Sequence, residues 1–262
     1  MISWTTAGYL FAGTLVGIIL LAVLLSLLPR RLNDAVTRAP WLDAIASPST
    51  WIPGVVGVWT GGWAGVGVVL GAQWVALGAW CIGHELAHPA ARRGPRIVKV
   101  LNRTVGRFRN HVALWVTTVA LPVFLLIRVL QVGLYWLLPA LLGFPRYRQS
   151  EWINCSRQKF EGLVGHDLIW CLYCDWMTGV YSLGAEMLRN VESFWCPIRF
   201  YDGKKCENCR IDFPDIDGGW VPPGGTMTDV TRVLEEKYAD GRREWFGHPA
   251  RLTVKGRDPT GK

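Results

Sequence analysis

The sequence has few charged side chains, and long stretches of it have almost none. Charged residues make up 18% of its 262 residues, whereas hydrophobic residues make up 50%. The uncharged runs are too long for the core of a soluble domain, so we expect an integral membrane protein. Three apolar segments are predicted, at residues 7–28, 51–83 and 111–142.

The first apolar segment also lacks the marks of a cleaved signal peptide. No Lys or Arg precedes it, and no small-residue cleavage site follows it. Pro29 and two arginines end the run. We therefore expect a retained membrane anchor rather than a leader that is removed.

Acidic side chains are outnumbered by basic ones, 20 against 28, and the net charge is +8. The basic residues flank the apolar segments, and the sequence contains no nucleic-acid-binding motif. This placement predicts cytoplasmic loops that face anionic lipid, and no nucleic-acid partner. Fifteen Trp residues fit a protein at the membrane–water interface.

The second and third apolar segments predict different membrane structures. Residues 51–83 are rich in Gly, which favours a packed transmembrane or re-entrant helix. Residues 111–142 contain Pro122 and Arg128, and form either one tilted helix or a shallow hairpin with Arg128 at its turn. Basic residues occur on both sides of this third segment, so the hairpin is favoured, with both flanks in the cytoplasm.

The fold is therefore predicted to be mainly α. We expect two to four membrane-embedded segments in residues 1–143, followed by a small helical and irregular Cys-rich, metal-binding domain at 144–240 and a basic tail at 241–262. A helix is predicted over 158–194. A last helix is predicted from Thr226, whose spacing to Asp229 matches a capping box, to about residue 240.

Six of the seven cysteines fall between residues 155 and 209, and four of them form two C-x-x-C pairs. Thiolates in such pairs are good ligands for a tetrahedral zinc ion, and a single iron would use the same ligands. Disulfides, redox dithiols and inert core thiols are the alternatives. The predicted metal ligands are drawn from Cys171, Cys174, Cys196, Cys206 and Cys209.

A second candidate metal site is the sequence His84-Glu85-Leu86-Ala87-His88. Two His four residues apart on one helical face can bind zinc, and the Glu between them can act as general base for a metal-bound water. The sequence G-H-E-L-A-H resembles the zinc motif of membrane gluzincin peptidases, in which a later E-x-x-A-D helix supplies the third ligand. The resemblance implies His84, His88 and Glu236 as ligands and Glu85 as base; Pro89, which should end the helix, departs from it.

The histidines also allow other interpretations. His84 and His88 suit an interfacial position beside headgroups, and either one could ligate haem or chlorophyll together with His111. His166 is expected to be a hydrogen-bonded structural residue.

Taken together, the sequence favours a non-catalytic accessory or structural subunit of a bacterial inner-membrane protein complex. Its partners would be membrane lipids and other membrane-protein subunits. A structural zinc would fix the fold of its C-terminal domain, which is expected to lie in the cytoplasm. The alternatives are a membrane-embedded zinc metallopeptidase and an electron carrier with Cys-ligated iron.

Overall fold

The computed structural model describes residues 2–142, 144, 146–199 and 216–239. The chain is mainly helical, as predicted, and these ranges contain no β-strand. Their only extended pairings are two isolated backbone bridges, Arg38 with Asn154 and Ile198 with Val221.

The chain forms two compact units. The first consists of Met1–Val119 and Ile153–Met177, and the second of Ala120–Trp152 and Thr178–Lys262. The helices of the first unit are α1 (Trp4–Ser26), α2 (Arg30–Val36), α3 (Trp41–Ser49), α4 (Trp51–Ala87), α5 (Pro89–Arg93), α6 (Ile97–Val105) and α7 (Arg107–Val116). The described helices of the second unit are α8 (Leu121–Leu142), α9 (Gln149–Trp152), α11 (Ile216–Gly219) and α12 (Met227–Tyr238), and α10 (Gly165–Trp195) contributes residues to both units.

Among the described residues, three apolar helical runs are long enough to cross a membrane: Trp4–Ser26, Trp41–Ala87 and Arg107–Leu142. They overlap the three predicted segments, although the first ends two residues earlier than predicted and the second begins ten residues earlier. The first is α1, whose N-terminus is capped by Ser3 through a 3.1 Å hydrogen bond from the Thr6 N–H. Its 23 residues give a length of about 34 Å, enough for a hydrocarbon core of about 30 Å.

The second run is a helical hairpin that reverses at Gly62. The φ of Gly62 is +58°, in the left-handed region that glycine adopts most readily. The two legs touch at Gly57 and Gly65, where a Cβ on Gly65 would lie 2.1 Å from the Gly57 carbonyl oxygen. Farther from the turn, Gln73 Nε2 donates to the Thr50 carbonyl at 2.7 Å. Glycines of this Gly-rich segment therefore let the two legs of the hairpin pack closely against each other.

α1 runs beside the second leg of this hairpin. A Cβ on Gly61, at the turn, would lie 2.7 Å from Cδ1 of Ile2, which precedes α1, and a Cβ on Gly71 would lie 3.8 Å from the Phe11 ring. The chain thus passes the turn just before α1 begins and meets the second leg farther along α1, so α1 and the second leg point the same way. The second leg ends at Ala87 and α5 begins at Pro89, as the proline predicts.

The predicted turn at Arg128 is wrong, because α8 continues through this residue from Leu121 to Leu142. Arg128 is only 5% exposed, and its guanidinium donates to Gln131 at 3.1 Å and to Gln149 at 2.7 Å. Gln131 in turn donates to the Val180 carbonyl at 2.8 Å. Hydrogen-bond partners therefore allow a cation inside an apolar helix without a break in the backbone.

α11 and α12 of the second unit share a small core. Ile216 and Trp220 are buried, and Val233 and Leu234 of α12 cover them.

The capping box that opens α12 is confirmed, with both Thr226–Asp229 bonds formed. The helix predicted over 158–194 begins only at Gly165, because a short 3₁₀ turn and irregular backbone precede it.

Candidate functional site

A guanidinium between two carboxylates forms a largely buried polar site in the first unit. Arg96 Nε lies 2.7 Å from Asp167 Oδ2, and Arg96 Nη2 lies 2.9 Å from Glu85 Oε1. Nη2 also donates to the Val164 carbonyl at 3.2 Å. The side chains of Arg96 and Asp167 are only 5% and 4% exposed. We call Glu85, Arg96 and Asp167 the Arg96 cluster.

Asp167 also caps a helix to which it does not belong. Its Oδ2 accepts from the backbone N–H of Ile97, and its Oδ1 from that of Val98, both at 3.1 Å. These are the first N–H groups of α6, whose own N-cap residue, Arg96, offers no side-chain cap. A carboxylate at a helix N-terminus satisfies these N–H groups and complements the helix dipole.

These partners keep the Asp167 carboxyl ionised. Burial would raise the pKa of the Asp167 carboxyl, but the Arg96 guanidinium and the backbone hydrogen bond from Val98 hold it below its ordinary value. On the other side of the pair, the carboxylates raise the pKa of Arg96 despite burial, so the cation is kept. The Arg96 cluster is therefore an ionised, hydrogen-bonded group in a largely buried position.

The start of α10 is fitted tightly against the end of α4. Gly165 has a φ of +50°, and a Cβ there would lie 2.3 Å from Glu85 Cγ. The Gly165 N–H donates to His84 Nδ1 at 3.3 Å. This contact requires glycine both for its backbone conformation and for its lack of a side chain.

The two histidines of the H-E-L-A-H sequence are stacked and hydrogen-bonded locally. Their ring centroids lie 4.3 Å apart, and His88 Nδ1 lies 2.9 Å from the His84 carbonyl oxygen. Because a carbonyl can only accept, His88 Nδ1 carries the proton. His84 Nδ1 accepts from Gly165, so a neutral His84 ring carries its proton on Nε2. Glu85, which lies between the two histidines in the sequence, is paired with Arg96.

Glu236, the third ligand that the gluzincin resemblance implies, lies on α12 in the second unit. Its Oε1 pairs with Arg232 Nη1 at 3.2 Å in an i, i+4 ion pair, and its side chain is 64% exposed. Among the residues that the structure describes, no three His, Cys, Asp or Glu side chains are gathered as a metal ion requires. The assignment of His84, His88 and Glu236 stays a prediction.

His166 has the hydrogen-bonded structural surroundings expected of it. Trp170 Nε1 donates to His166 Nε2 at 3.1 Å, and the His111 ring meets the His166 ring edge-on at 5.3 Å. His166 Nδ1 is buried and lies 3.8 Å from Asp167 Oδ1, which is longer than a hydrogen bond. Packed aromatic rings thus extend one side of the Arg96 cluster.

The cysteines predicted to bind metal are described only in part. Cys171 and Cys174 lie three residues apart on α10, with Cys174 exposed, and exposed Cys196 directly follows the last residue of α10. Cys206 and Cys209 lie outside the described residues. Burial raises the pKa of the Cys171 thiol and raises the pKa of the buried Cys155 thiol to about 12.

Arg96 and Asp167 were not singled out by the sequence. Arg96 is one of several arginines in a basic loop, and Asp167 is 71 residues away along the chain. One signal was present: Glu85 is the only acidic residue between Asp43 and Glu151, in a segment rich in arginine. An isolated carboxylate at the end of an apolar helix needs a basic partner, and Arg96 supplies it.

Comparison with known proteins gives no relative. No protein-family model matches the chain, and neither a curated protein nor a solved structure is significantly similar to it. Function must therefore be argued from the chemistry of the site.

Proposed function

We propose that this chain is a non-catalytic structural subunit of a bacterial inner-membrane protein complex. The observation that carries the proposal is the use of Glu85 in the Arg96 cluster. A peptidase would need this carboxylate to accept a proton from a metal-bound water. Here Oε1 accepts from Arg96 at 2.9 Å, and Oε2 lies 3.9 Å from Arg92.

The histidines support the same conclusion. A zinc ligand must offer an unprotonated ring nitrogen. His84 uses Nδ1 to accept from Gly165, which leaves its proton on Nε2. His88 keeps one nitrogen available, but a single imidazole does not make a zinc site. We infer that the H-E-L-A-H sequence joins the end of α4 to α6 and α10 rather than binding a metal.

The exposed apolar surface supports a role in assembly. Trp59 and Trp63, on either side of the hairpin turn, are each 89% exposed, and many side chains of the three candidate spans are exposed as well. Within a membrane such surfaces meet lipid or the helices of other subunits. We propose that the hairpin presents its exposed apolar side chains both to lipid and to the helices of other subunits.

The Arg96 cluster also supports a topology. Arg96 precedes the third candidate span, Arg107–Leu142, and Asp167 follows it, yet their side chains are bonded. We propose that both residues lie on the same side of the membrane, with the third run returning to that side rather than crossing once. The basic loop at residues 88–106 favours the cytoplasm for that side, and we propose that residues 144–240 lie there too.

We propose a structural zinc on the cysteines of this cytoplasmic part. Its ligands would be drawn from Cys171, Cys174, Cys196, Cys206 and Cys209, of which Cys174 and Cys196 are exposed. A thiolate site would fix a segment rich in turn-forming residues. Iron on the same thiols would instead give a visible absorption band, which metal-loaded protein can be examined for.

Glu85→Gln in the full-length protein tests the non-catalytic role. Chelator-sensitive cleavage of an unfolded protein substrate is measured for wild type, for Glu85→Gln, and for Glu235→Gln as an exposed control. We expect no cleavage activity that depends on Glu85, and a lower melting temperature only for Glu85→Gln. Cleavage by the wild type and the control that Glu85→Gln abolishes would establish the peptidase instead.

A further inference from the structure

α6 has an apolar face that the described part of the chain leaves uncovered. Its residues recur at helical spacing on one side, and two basic residues occupy the opposite side. The exposed fractions on the apolar side are 50% for Ile97, 49% for Val100, 39% for Leu101 and 47% for Val105. The basic pair is Lys99 and Arg103.

The position of α6 is fixed at the end of the second candidate span. Arg96, the residue before α6, is bonded to Glu85 in the last turn of that span. Asp167 holds the first backbone N–H groups of α6. At the other end, Gly106 alone separates α6 from Arg107, where the third candidate span begins. Both ends of α6 are therefore tied to membrane-spanning segments, which keeps it near the membrane boundary.

The exposed charge on and next to α6 is positive, because the two carboxylates at its N-terminus are paired with Arg96. Residues 88–110 contain no acidic side chain, and Arg96 is the one basic residue there that is enclosed by carboxylates. Within the described residues, Lys99, Arg103, Arg107 and Arg109 form no ion pair. An apolar stripe with Lys and Arg on the other face, close to a bilayer, is complementary to anionic lipid.

We propose that α6 lies in the cytoplasmic headgroup layer and binds anionic phospholipid. The apolar side of α6, Val100 included, inserts between lipids, while the long side chains of Lys99 and Arg103 reach back to the phosphates. This inference rests on the membrane location in the proposed function, and it adds a lipid class and a binding element.

A photo-crosslinking amino acid in the full-length protein tests the position of α6. The protein is placed in nanodiscs of equal parts phosphatidylglycerol and phosphatidylcholine, with the crosslinker at Val100, at Lys99 or at Leu24. Leu24 is 63% exposed on α1 and reports membrane insertion itself. We expect lipid adducts from Val100 and Leu24 and few from Lys99. Adducts from Leu24 without adducts from Val100 would overturn the proposal for α6 alone, and none from either would overturn the membrane location as well.

The headgroup of the captured lipid tests the charge argument. At Val100, the ratio of phosphatidylglycerol adducts to phosphatidylcholine adducts should exceed one. The double variant Lys99→Gln with Arg103→Gln should lower this ratio about fivefold or more. Arg232→Gln with Lys237→Gln, on α12, removes the same charge elsewhere and should leave the enrichment unchanged. Equal capture of both lipids by the wild type would overturn the proposal. So would crosslinking of Val100 in intact cells to a protein rather than to lipid.

Discussion

Replacement of Arg96 by Gln should destabilise the first unit strongly. Removing one partner of a buried ion pair leaves the other charge without compensation, which costs about 3–5 kcal/mol. Asp167 is only 4% exposed, but it keeps its two backbone N–H donors, so we expect the lower end of this range. About 3 kcal/mol corresponds to a melting temperature lower by about 6–12 °C for a protein of this size.

Arg92→Gln is the matched control for this change. Arg92 reaches the same Glu85 at 3.9 Å, but its side chain is 52% exposed. Solvent-exposed pairs contribute at most about 1 kcal/mol. Thermal unfolding of the purified full-length variants, followed by circular dichroism, compares the two. If Arg96→Gln lowers the melting temperature no more than Arg92→Gln, the Arg96 cluster does not hold these helices together.

A double substitution separates the ion pair from general damage. Arg96→Gln combined with Asp167→Asn removes both charges, so no buried charge remains uncompensated. The double variant should be more stable than the sum of the two single effects predicts, by about 1 kcal/mol or more. Strictly additive effects would show that the two side chains do not interact.

Two further perturbations follow from the same contacts. Gly65→Ala should lower the melting temperature, because the added methyl group overpacks the hairpin at a cost of about 1–3 kcal/mol. Gly67→Ala should not lower it, because a Cβ there meets open space. Equal effects of the two substitutions would contradict the hairpin. Because the folded pKa of Asp167 is lowered, its contribution is present above the ordinary value of 3.8 and is lost as pH falls through the lower folded value. Melting temperatures measured from pH 6 down to pH 3 should therefore fall more steeply for wild type than for Asp167→Asn, and parallel curves would refute this.

Local features of this fold could be predicted from the sequence. The apolar segments gave the candidate spans, Pro89 marked the end of α4, and the Thr226–Asp229 capping box marked the start of α12. Each depends on neighbouring residues or on composition, which a single sequence contains. The hairpin turn was harder to locate, since Gly62 is one of many glycines in that segment and only its backbone conformation distinguishes it.

The site depended on long-range contacts that sequence patterns do not contain. The helix through Arg128 persists because Gln149, 21 residues farther along the chain, accepts from its guanidinium. Asp167 meets Arg96 across 71 residues and replaces a local helix cap that the sequence lacks. The H-E-L-A-H spacing predicts a metal site only if both His rings and the Glu are available. Here His84 Nδ1, His88 Nδ1 and Glu85 Oε1 have other partners, which the spacing alone does not reveal.

Metal analysis of the intact protein tests the central claim most directly. The account assigns the metal to the cysteines and a structural role to His84, Glu85 and His88. It predicts one zinc per chain, retained in His84→Ala and lost in Cys206→Ser. Zinc that is lost in His84→Ala and retained in Cys206→Ser would contradict it.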